Sequence, residues 1–194
     1  FDTWGVDYAL LDEEGRIIHE PYHYRDERTK NALEKAFSKM SAEDIYAETG
    51  NQIMNINTLF QLLSDENLES SDKLLFMPDL FAYFLTGEKN TEYSIATTSQ
   101  MIDLKTNSWS EKLLDKLGIR KDIFAPIVKS GTKVGFLSKE ICEECGVPSV
   151  PVIAVCEHDT QSAISAVPCP EGEFAFISSG TWSLFGTELE EPVV

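Results

Sequence analysis

The chain has 194 residues, 42% of them hydrophobic and 25% charged, which is enough apolar material for one large buried core or two small ones. Its 16 basic and 33 acidic side chains give a formal net charge of −17, which argues against nucleic acid or an anionic membrane as a partner, because both bind clustered Lys or Arg. The sequence contains neither a membrane-spanning apolar run nor a secretory signal pattern, so we expect a cytoplasmic protein with reduced cysteines.

The first elements are predicted to form a β-hairpin. Alternating apolar residues favour a strand over residues 3–12, a polar turn follows at residues 12–15, and residues 16–19 return as a second strand. Gly5 lies inside the first strand, where a glycine marks either a bulge or a close approach by another group. Because Phe1 falls within this strand pattern, we expect the chain to be an internal piece of a longer protein.

Helices dominate the predicted middle of the chain. Ser41 and Asp44 form a capping box that starts one short helix, and Pro78 occupies the preferred first turn of another. Apolar residues at helical spacing continue these two helices and predict four more. The six predicted helices cover residues 31–40, 41–47, 58–63, 79–85, 108–117 and 138–145.

The segments between these helices are predicted to be irregular. Residues 51–57 are rich in Asn, which suits a loop facing a polar ligand or a series of turns. Residues 64–72 are predicted to be an exposed acidic loop, and residues 91–104 show no clear period. Residues 123–135 contain a proline and two glycines, which favours a strand interrupted by loops.

The strongest functional signal lies in residues 151–165. An apolar, β-branched run at residues 152–155 predicts a buried strand, and Glu157, His158 and Asp159 follow it before a helix of small residues. In α/β proteins, binding and catalytic residues commonly lie at the carboxyl end of a strand, where the chain continues into a helix. A lone carboxylate there suits a general base for a substrate hydroxyl, although Asp159 also fits a helix N-cap.

Other catalytic classes fit this cluster poorly. Side chains of consecutive residues are expected to diverge, so His158 and Asp159 should not act as a base and its orienting group, and no G-x-S-x-G motif is present. Cys142 and Cys145 have zinc-ligand spacing, but no second pair completes a site. We therefore expect neither a hydrolytic triad nor a zinc centre.

The end of the chain is predicted to be a second hairpin. Residues 168–172 combine Pro and Gly into a break that predicts a domain boundary. Strands are expected at residues 173–178 and 182–188, with a turn at residues 179–181. Gly180, flanked by hydroxyl side chains, leaves its backbone accessible to a phosphate, but no Walker A loop or G-x-G-x-x-G motif supports that function.

Six sequence blocks span nearly the whole chain, and they are DTWGVD (2–7), YRDERT (24–29), MPD (77–79), EYSIATT (92–98), HDT-x-SA (158–163) and SSGTWS (178–183). Together and in this order, they resemble the FGGY carbohydrate kinases, and within them the branch that acts on L-rhamnulose.

The resemblance implies an α/β fold: a truncated ribonuclease-H-like domain of the actin/hexokinase ATPase type, with a mixed sheet and helices. Residues 1–168 would be the sugar-binding N-terminal domain without its first phosphate-loop hairpin. Residues 169–194 would be the opening hairpin of the C-terminal nucleotide-binding domain. Because the D-x-G-type phosphate loop of the family is absent, we expect these 194 residues alone to lack kinase activity.

The activity implied by the resemblance is transfer of the ATP γ-phosphate, with Mg²⁺, to the 1-hydroxyl of L-rhamnulose. Asp159 would be the catalytic base, and no residue is assigned to the metal. The residues matching family positions that contact the ketose are Gly5, His158, Asp159 and Thr160; Thr181 matches a nucleotide contact, and Arg25 and Arg28 border the sugar pocket.

Three alternatives stay open. The first is another kinase of the same family, acting on fuculose, xylulose, ribulose or glycerol. The second is a sugar-binding module without turnover. The third is a structural α/β domain in which His158 and Asp159 only cap a helix. The sequence does not predict an oligomeric state.

Overall fold

A computed structural model describes residues 1–169 and 174–193. The strands are β1 Tyr8–Leu11, β2 Lys73–Phe76, β3 Thr91–Glu92, β4 Ile102–Asp103, β5 Ser108–Trp109, β6 Ile127–Val128, β7 Lys133–Phe136, β8 Pro151–Ile153, β9 Ala175–Ser179 and β10 Ser183–Thr187. The helices are α1 Ala32–Phe37, α2 Ala42–Thr49, α3 Thr58–Leu62, α4 Met77–Thr86, α5 Tyr93–Thr97, α6 Glu111–Leu117, α7 Lys139–Cys145 and α8 Asp159–Ser165.

The strand pairing is mixed. Strands β3 and β6 pair in parallel, whereas β1–β2, β4–β5, β7–β8 and β9–β10 pair antiparallel. Single bridges extend the central β1–β2 pair on both sides, from Leu11 to Ile17 and from Leu74 to Phe124. The described elements therefore form a mixed α/β arrangement, as expected.

The main core lies on both faces of the β1–β2 pair. Side chains alternate along a strand, so Leu10 and Phe76 join one apolar cluster while Leu11 and Leu75 join another on the opposite face. All four are fully buried, and burying a side chain of this size contributes roughly 1.5–3 kcal/mol. This double-sided burial makes the pair the rigid platform from which the preceding segment, residues 3–7, extends.

Several predicted helix ends are confirmed by their caps. The Ser41 hydroxyl accepts the Asp44 N–H at 3.1 Å and donates to the Asp44 carboxylate at 2.8 Å. Pro78 lies in the first turn of α4, and Gly87 ends that helix in the left-handed conformation at φ 79°. Local chemistry was sufficient to predict these boundaries.

The predicted N-terminal hairpin is only partly correct. The strand expected over residues 3–12 is confined to Tyr8–Leu11, and the second strand is reduced to the single bridge at Ile17. Residues 4–7 bend instead, with Val6 in the left-handed region at φ 69°. On one edge β1 pairs with β2 along its whole length, whereas on its other edge the segment after the turn makes only the single Leu11–Ile17 bridge.

Three other segments differ from expectation. The supposedly exposed acidic loop contains a short 3₁₀ turn, Leu68–Ser70, and its Asp65 side chain is fully buried. Residues 91–104 contain β3, α5 and β4. The strand expected at residues 152–155 is present in part, as β8. Its predicted burial is wrong, because only Ala154 in this run is buried.

Strands β9 and β10 agree with the predicted C-terminal hairpin within two residues at each end. Part of the expected domain boundary, and Glu173 at the start of the predicted strand, lie outside the described residues. All four cysteines carry free thiols. No helix formed by residues 1–169 or 174–193 is long and apolar enough to cross a membrane.

Candidate functional site

A cleft of about 880 Å³ collects most of the predicted site residues. Its walls come from the segment before β1, three loops, the start of α8 and the β9–β10 hairpin. The lining residues are Trp4, Gly5, Val6, His23, Tyr24, Asn51, Gln52, Met54, Ile56, Asn57, Thr98, His158, Asp159, Thr160, Ala163, Ser178, Ser179, Gly180, Thr181, Trp182 and Leu184.

Asp159 lies at the first position of α8, with 52% of its side chain exposed. Its N–H donates to the Thr3 carbonyl at 2.8 Å, and Thr3 N–H donates to the Glu157 carbonyl at 2.9 Å. These bonds form a short parallel bridge that ties the start of α8 to the chain entering the Trp4–Gly5 wall. The Asp159 carboxylate is therefore held at the cleft, where it can accept a proton from a bound hydroxyl.

Asp159 is not the N-cap residue of α8, contrary to the alternative interpretation; it lies one residue later. The N-cap residue is His158, whose side chain makes no capping hydrogen bond. Among the described residues, only Thr160 donates to the Asp159 carboxylate, from its N–H at 2.6 Å and its Oγ1–H at 3.3 Å, both to Oδ1. Asp159 Oδ2 receives no hydrogen bond from the described part of the chain.

His158 and Asp159 lie closer together than consecutive side chains were expected to. His158 Nε2 is 3.6 Å from Asp159 Oδ1, which is too long for a good hydrogen bond but short enough for electrostatic contact. Burial lowers the pKa of His158, and the negative charges of Asp159 and Glu92 only partly oppose that effect. The imidazole is therefore mainly neutral at pH 7 and adds no cation to the cleft.

Gly5 also lines the cleft, and it lies very close to Thr98. A Cβ atom at position 5 would lie 2.8 Å from Thr98 Cβ, closer than two carbons can pack. Thr98 Oγ1 accepts the N–H of Val6 at 3.0 Å, and the Val6 carbonyl accepts from Thr58 Oγ1 at 2.7 Å. These contacts hold Val6 in a conformation that a β-branched residue rarely adopts.

Trp4 was not predicted as a site residue, although it stands in the first of the six blocks. Its indole N–H donates to Asp7 Oδ2 at 2.7 Å, while the ring is 44% exposed in the cleft. Burial raises the pKa of Asp7, and hydrogen bonds from Trp4 and Gln61 oppose that rise. The arrangement fixes an apolar ring face beside the ketose-sized space.

The Asn-rich loop also contributes to the cleft. Asn51 Nδ2 donates to the Thr97 carbonyl at 2.5 Å, and Asn57 Nδ2 donates to Gln100 Oε1 at 2.7 Å. These bonds hold the loop rather than a ligand. Composition alone left two interpretations open for residues 51–57, and the structure places four members of this segment, besides Asn57, on the cleft wall.

Arg25 and Arg28 are not among the cleft-lining residues. Arg28 stacks 3.9 Å above the Tyr22 ring, pairs with Asp65 at 3.2 Å and donates to Gln61 at 2.9 Å. Its side chain is only 13% exposed. Arg28 therefore supports the protein behind the cleft, and the nearby wall is formed by His23 and Tyr24.

Thr181, which was predicted to contact a nucleotide, lines the same cleft. Thr181 is exposed in the turn between β9 and β10, and no heavy atom comes within 4 Å of a Cβ built at Gly180. That open backbone and the hydroxyls of Ser178, Ser179 and Thr181 suit a phosphate. Within the described residues, no group of three acidic, His or Cys side chains could hold a metal ion.

Comparison with known proteins places this geometry in context. The model of the N-terminal domain of the FGGY family of carbohydrate kinases matches residues 1–165. Curated rhamnulokinases from Bacteroides thetaiotaomicron and Ligilactobacillus salivarius are 46% and 41% identical over 100% and 98% of the chain. The chain spans 41% and 40% of the length of these two proteins.

Solved structures agree on the fold. The structure of a carbohydrate kinase from Novosphingobium aromaticivorans superposes on 98% of this chain with a TM-score of 0.79 and 26% sequence identity. The match covers 43% of the length of that kinase. The structure of a ligand-bound xylulose kinase from Lactobacillus acidophilus superposes on 82% of this chain with a TM-score of 0.74 and 20% sequence identity. The match covers 34% of the length of that kinase. The expected actin/hexokinase-like fold, present here as a partial domain, is confirmed.

Proposed function

Because this chain belongs to the FGGY family of carbohydrate kinases, we propose that it is the sugar-binding part of an ATP-dependent kinase that phosphorylates the 1-hydroxyl of L-rhamnulose. The choice of sugar is supported by the names of the curated relatives, which are called rhamnulokinase. Residues 1–168 would form the sugar domain, and residues 169–194 would open the nucleotide domain.

One observation carries the catalytic part of the proposal. Asp159 presents a half-exposed carboxylate to a cleft large enough for a ketose, and Thr181 lies on another wall of the same cleft. A sugar hydroxyl is a weak nucleophile, so a positioned carboxylate that accepts its proton contributes on the order of 10²–10⁴ in rate. Phosphoryl transfer otherwise depends on positioning and on charge neutralisation.

Each neighbour has a distinct task in this proposal. The Gly5 backbone leaves room for the ketose, while His158 and Thr160 bind its hydroxyls on either side of Asp159. The hydroxyls and open backbone at Ser179–Thr181 receive the nucleotide phosphates. Mg²⁺, when bound with ATP, would offset phosphate charge in a protein whose net charge is −17.

The proposal is tested with the protein that contains these residues at its full natural length. ATP-dependent phosphorylation is measured on a panel of rhamnulose, fuculose, xylulose, ribulose and glycerol, with the product position assigned by NMR. We expect the highest kcat/KM for L-rhamnulose, phosphorylated at its 1-hydroxyl. Preference for another member of the panel would change the substrate, and sugar binding without any turnover would leave only a binding module.

A further inference from the structure

Three buried carboxyl groups meet beneath the turn that carries Asp159. Asp79 lies in the first turn of α4, Glu92 is the N-cap of α5, and Glu157 lies in the segment between β8 and α8. Their residues are 4%, 1% and 3% exposed. Within the described residues, no Lys or Arg side chain pairs with any of the three. Burial without a paired cation is costly for a carboxylate, so the cluster requires a physical explanation.

Glu92 is satisfied by hydrogen bonds alone. Its Oε2 accepts the N–H groups of Ser94 at 2.8 Å and Ile95 at 3.2 Å, together with the Ser94 hydroxyl at 2.5 Å and Glu157 N–H at 3.2 Å. Its Oε1 accepts from Ser130 Oγ at 2.6 Å. Five donors around one group suit a carboxylate anion.

Asp79 and Glu157 differ from Glu92 because each has an oxygen with no donor. Asp79 Oδ1 accepts Glu92 N–H at 3.0 Å, but Asp79 Oδ2 and Glu157 Oε2 are buried and receive no hydrogen bond from any described N–H or O–H group. Both residues are bonded to Glu92, whose N–H donates to Asp79 Oδ1 and whose Oε2 accepts the N–H of Glu157, and the two carboxyl groups influence each other's pKa. Because two carboxylates can only accept hydrogen bonds, a hydrogen bond between these two unsatisfied groups requires a proton on one of them.

The environment places that proton on Asp79. Burial raises the pKa of Asp79 well above its usual range, and the charges of Glu157 and Glu92 raise it further. Burial also raises the pKa of Glu157, to about 7, an effect that the interaction with Asp79 opposes and the charge of Glu92 reinforces. The imidazole of His158 interacts with Glu92, and the Cys156 thiol contacts Ser130 at 3.5 Å.

The cluster is bonded to the backbone that presents Asp159. Glu92 accepts the N–H of Glu157, and the Ser94 hydroxyl, itself bound to Glu92, accepts the N–H of His158 at 3.2 Å. The N–H of Asp159 goes to Thr3. Of the three successive N–H groups in this turn, one therefore ends on the Glu92 carboxylate and one on the Ser94 hydroxyl that is bound to Glu92. Loss of the cluster's proton would add a negative charge next to this turn.

We propose that Asp79 and Glu157 share a proton above the Glu92 carboxylate, and that this pair positions the Glu157–Asp159 turn so that the Asp159 carboxylate points into the cleft. The pair acts through the turn and touches no substrate. Its kinetic consequence rests on the proposed kinase function, whereas the shared proton itself does not depend on that function.

Two substitutions of Asp79 distinguish a proton shared with Glu157 from a purely structural role of the Asp79 side chain. Asp79→Asn keeps an oxygen for Glu92 N–H and supplies a permanent N–H for Glu157, so it imitates the protonated acid but cannot ionise. Asp79→Ala removes both bonds. Asp115→Asn, which changes an exposed aspartate in α6, is the matched control.

The first measurement is the infrared band of a neutral carboxylic acid at about pH 8, where ordinary carboxyl groups are ionised. We expect this band in the unsubstituted protein and in Asp115→Asn, and its loss in Asp79→Asn. Absence of the band from the unsubstituted protein, or its persistence in Asp79→Asn, would overturn the shared proton whether or not the protein is a kinase.

The second measurement is kcat and KM for the phosphorylated sugar across pH. Asp79→Asn should match the unsubstituted protein near neutrality and keep its kcat at alkaline pH, where the unsubstituted protein loses activity. Asp79→Ala should lower kcat about 10-fold or more with little change in KM. Equal alkaline losses in Asp79→Asn and the unsubstituted protein would contradict the positioning role, while an inactive unsubstituted protein with an intact acid band would refute only the kinase function.

Discussion

Glu157 should make the stability of this protein fall as the pH rises through the acidic to neutral range. Its side chain is buried, and its pKa is raised from 4.5 to about 7, chiefly by that burial. Between these two values the folded state binds the proton more tightly than the unfolded state does. The free energy of unfolding therefore decreases as pH increases from about 4.5 to about 7.

The size of this effect follows from the two pKa values. One pKa unit corresponds to 1.36 kcal/mol, so the rise at Glu157 amounts to roughly 3 kcal/mol of lost stability once the pH exceeds the folded-state value. Because Asp79 shares the proton, the titration belongs to the pair. Glu157→Gln removes the ionisation but leaves a neutral side chain of nearly the same shape.

Urea denaturation at about pH 4.5 and about pH 8 measures the effect. The difference in unfolding free energy between Glu157→Gln and the unsubstituted protein should move in favour of the variant by roughly 3 kcal/mol across this range. Glu13→Gln, which removes the same charge from an exposed turn, is the control. A difference that stays constant with pH would refute the argument that burial holds the proton.

Three further substitutions test how the cleft and its support are built. Gly5→Ala should destabilise the protein by about 1–3 kcal/mol and weaken ketose binding, because the new methyl group would collide with Thr98; an unchanged melting temperature and sugar affinity would contradict this packing. Arg28→Lys should cost about 1–3 kcal/mol in urea denaturation, because a lysine cannot reproduce the guanidinium bonds to buried Asp65; unchanged stability would show that the guanidinium geometry is not needed. Ser138→Ala should cost about 1 kcal/mol by loss of the α7 N-cap, whereas the threonine variant should retain most of that stability, and equal losses in both would argue against the cap.

Local chemistry made the helix boundaries predictable. Ser41 and Asp44, and Pro78 with Gly87, fix their helix ends through bonds and conformations that involve only nearby residues. The order of the six blocks made the family predictable, and the matched range confirms it. The pairing of β1 with β2 depends on residues more than 60 positions apart, so periodicity alone could not identify it.

Burial was less predictable than secondary structure. The run at residues 152–155 is as apolar as a core strand, yet Ile153 and Val155 are each more than 40% exposed. Asp65, in a polar segment, is instead buried because Arg28 reaches it from elsewhere in the chain. The type of a residue indicates whether its burial is favourable, but its actual burial depends on which distant residues pack against it or pair with it.

The site shows the same limitation. Asp159 could be identified from its place after a strand, and the structure puts it on the cleft with Gly5, His158, Thr160 and Thr181. Their roles in sugar and nucleotide binding stay predictions. The carboxyl cluster behind Asp159 escaped prediction because Asp79, Glu92 and Glu157 come from separate segments, each with a commonplace local interpretation as a helix-start or loop acid.

The most direct test of the catalytic assignment is Asp159→Ala in the full-length protein. We predict that phosphorylation of L-rhamnulose falls on the order of 10²–10⁴-fold, while calorimetry shows ketose binding largely intact, since the rest of the cleft wall is unchanged. Turnover retained at the level of the unsubstituted protein would contradict the assignment of Asp159 as the base.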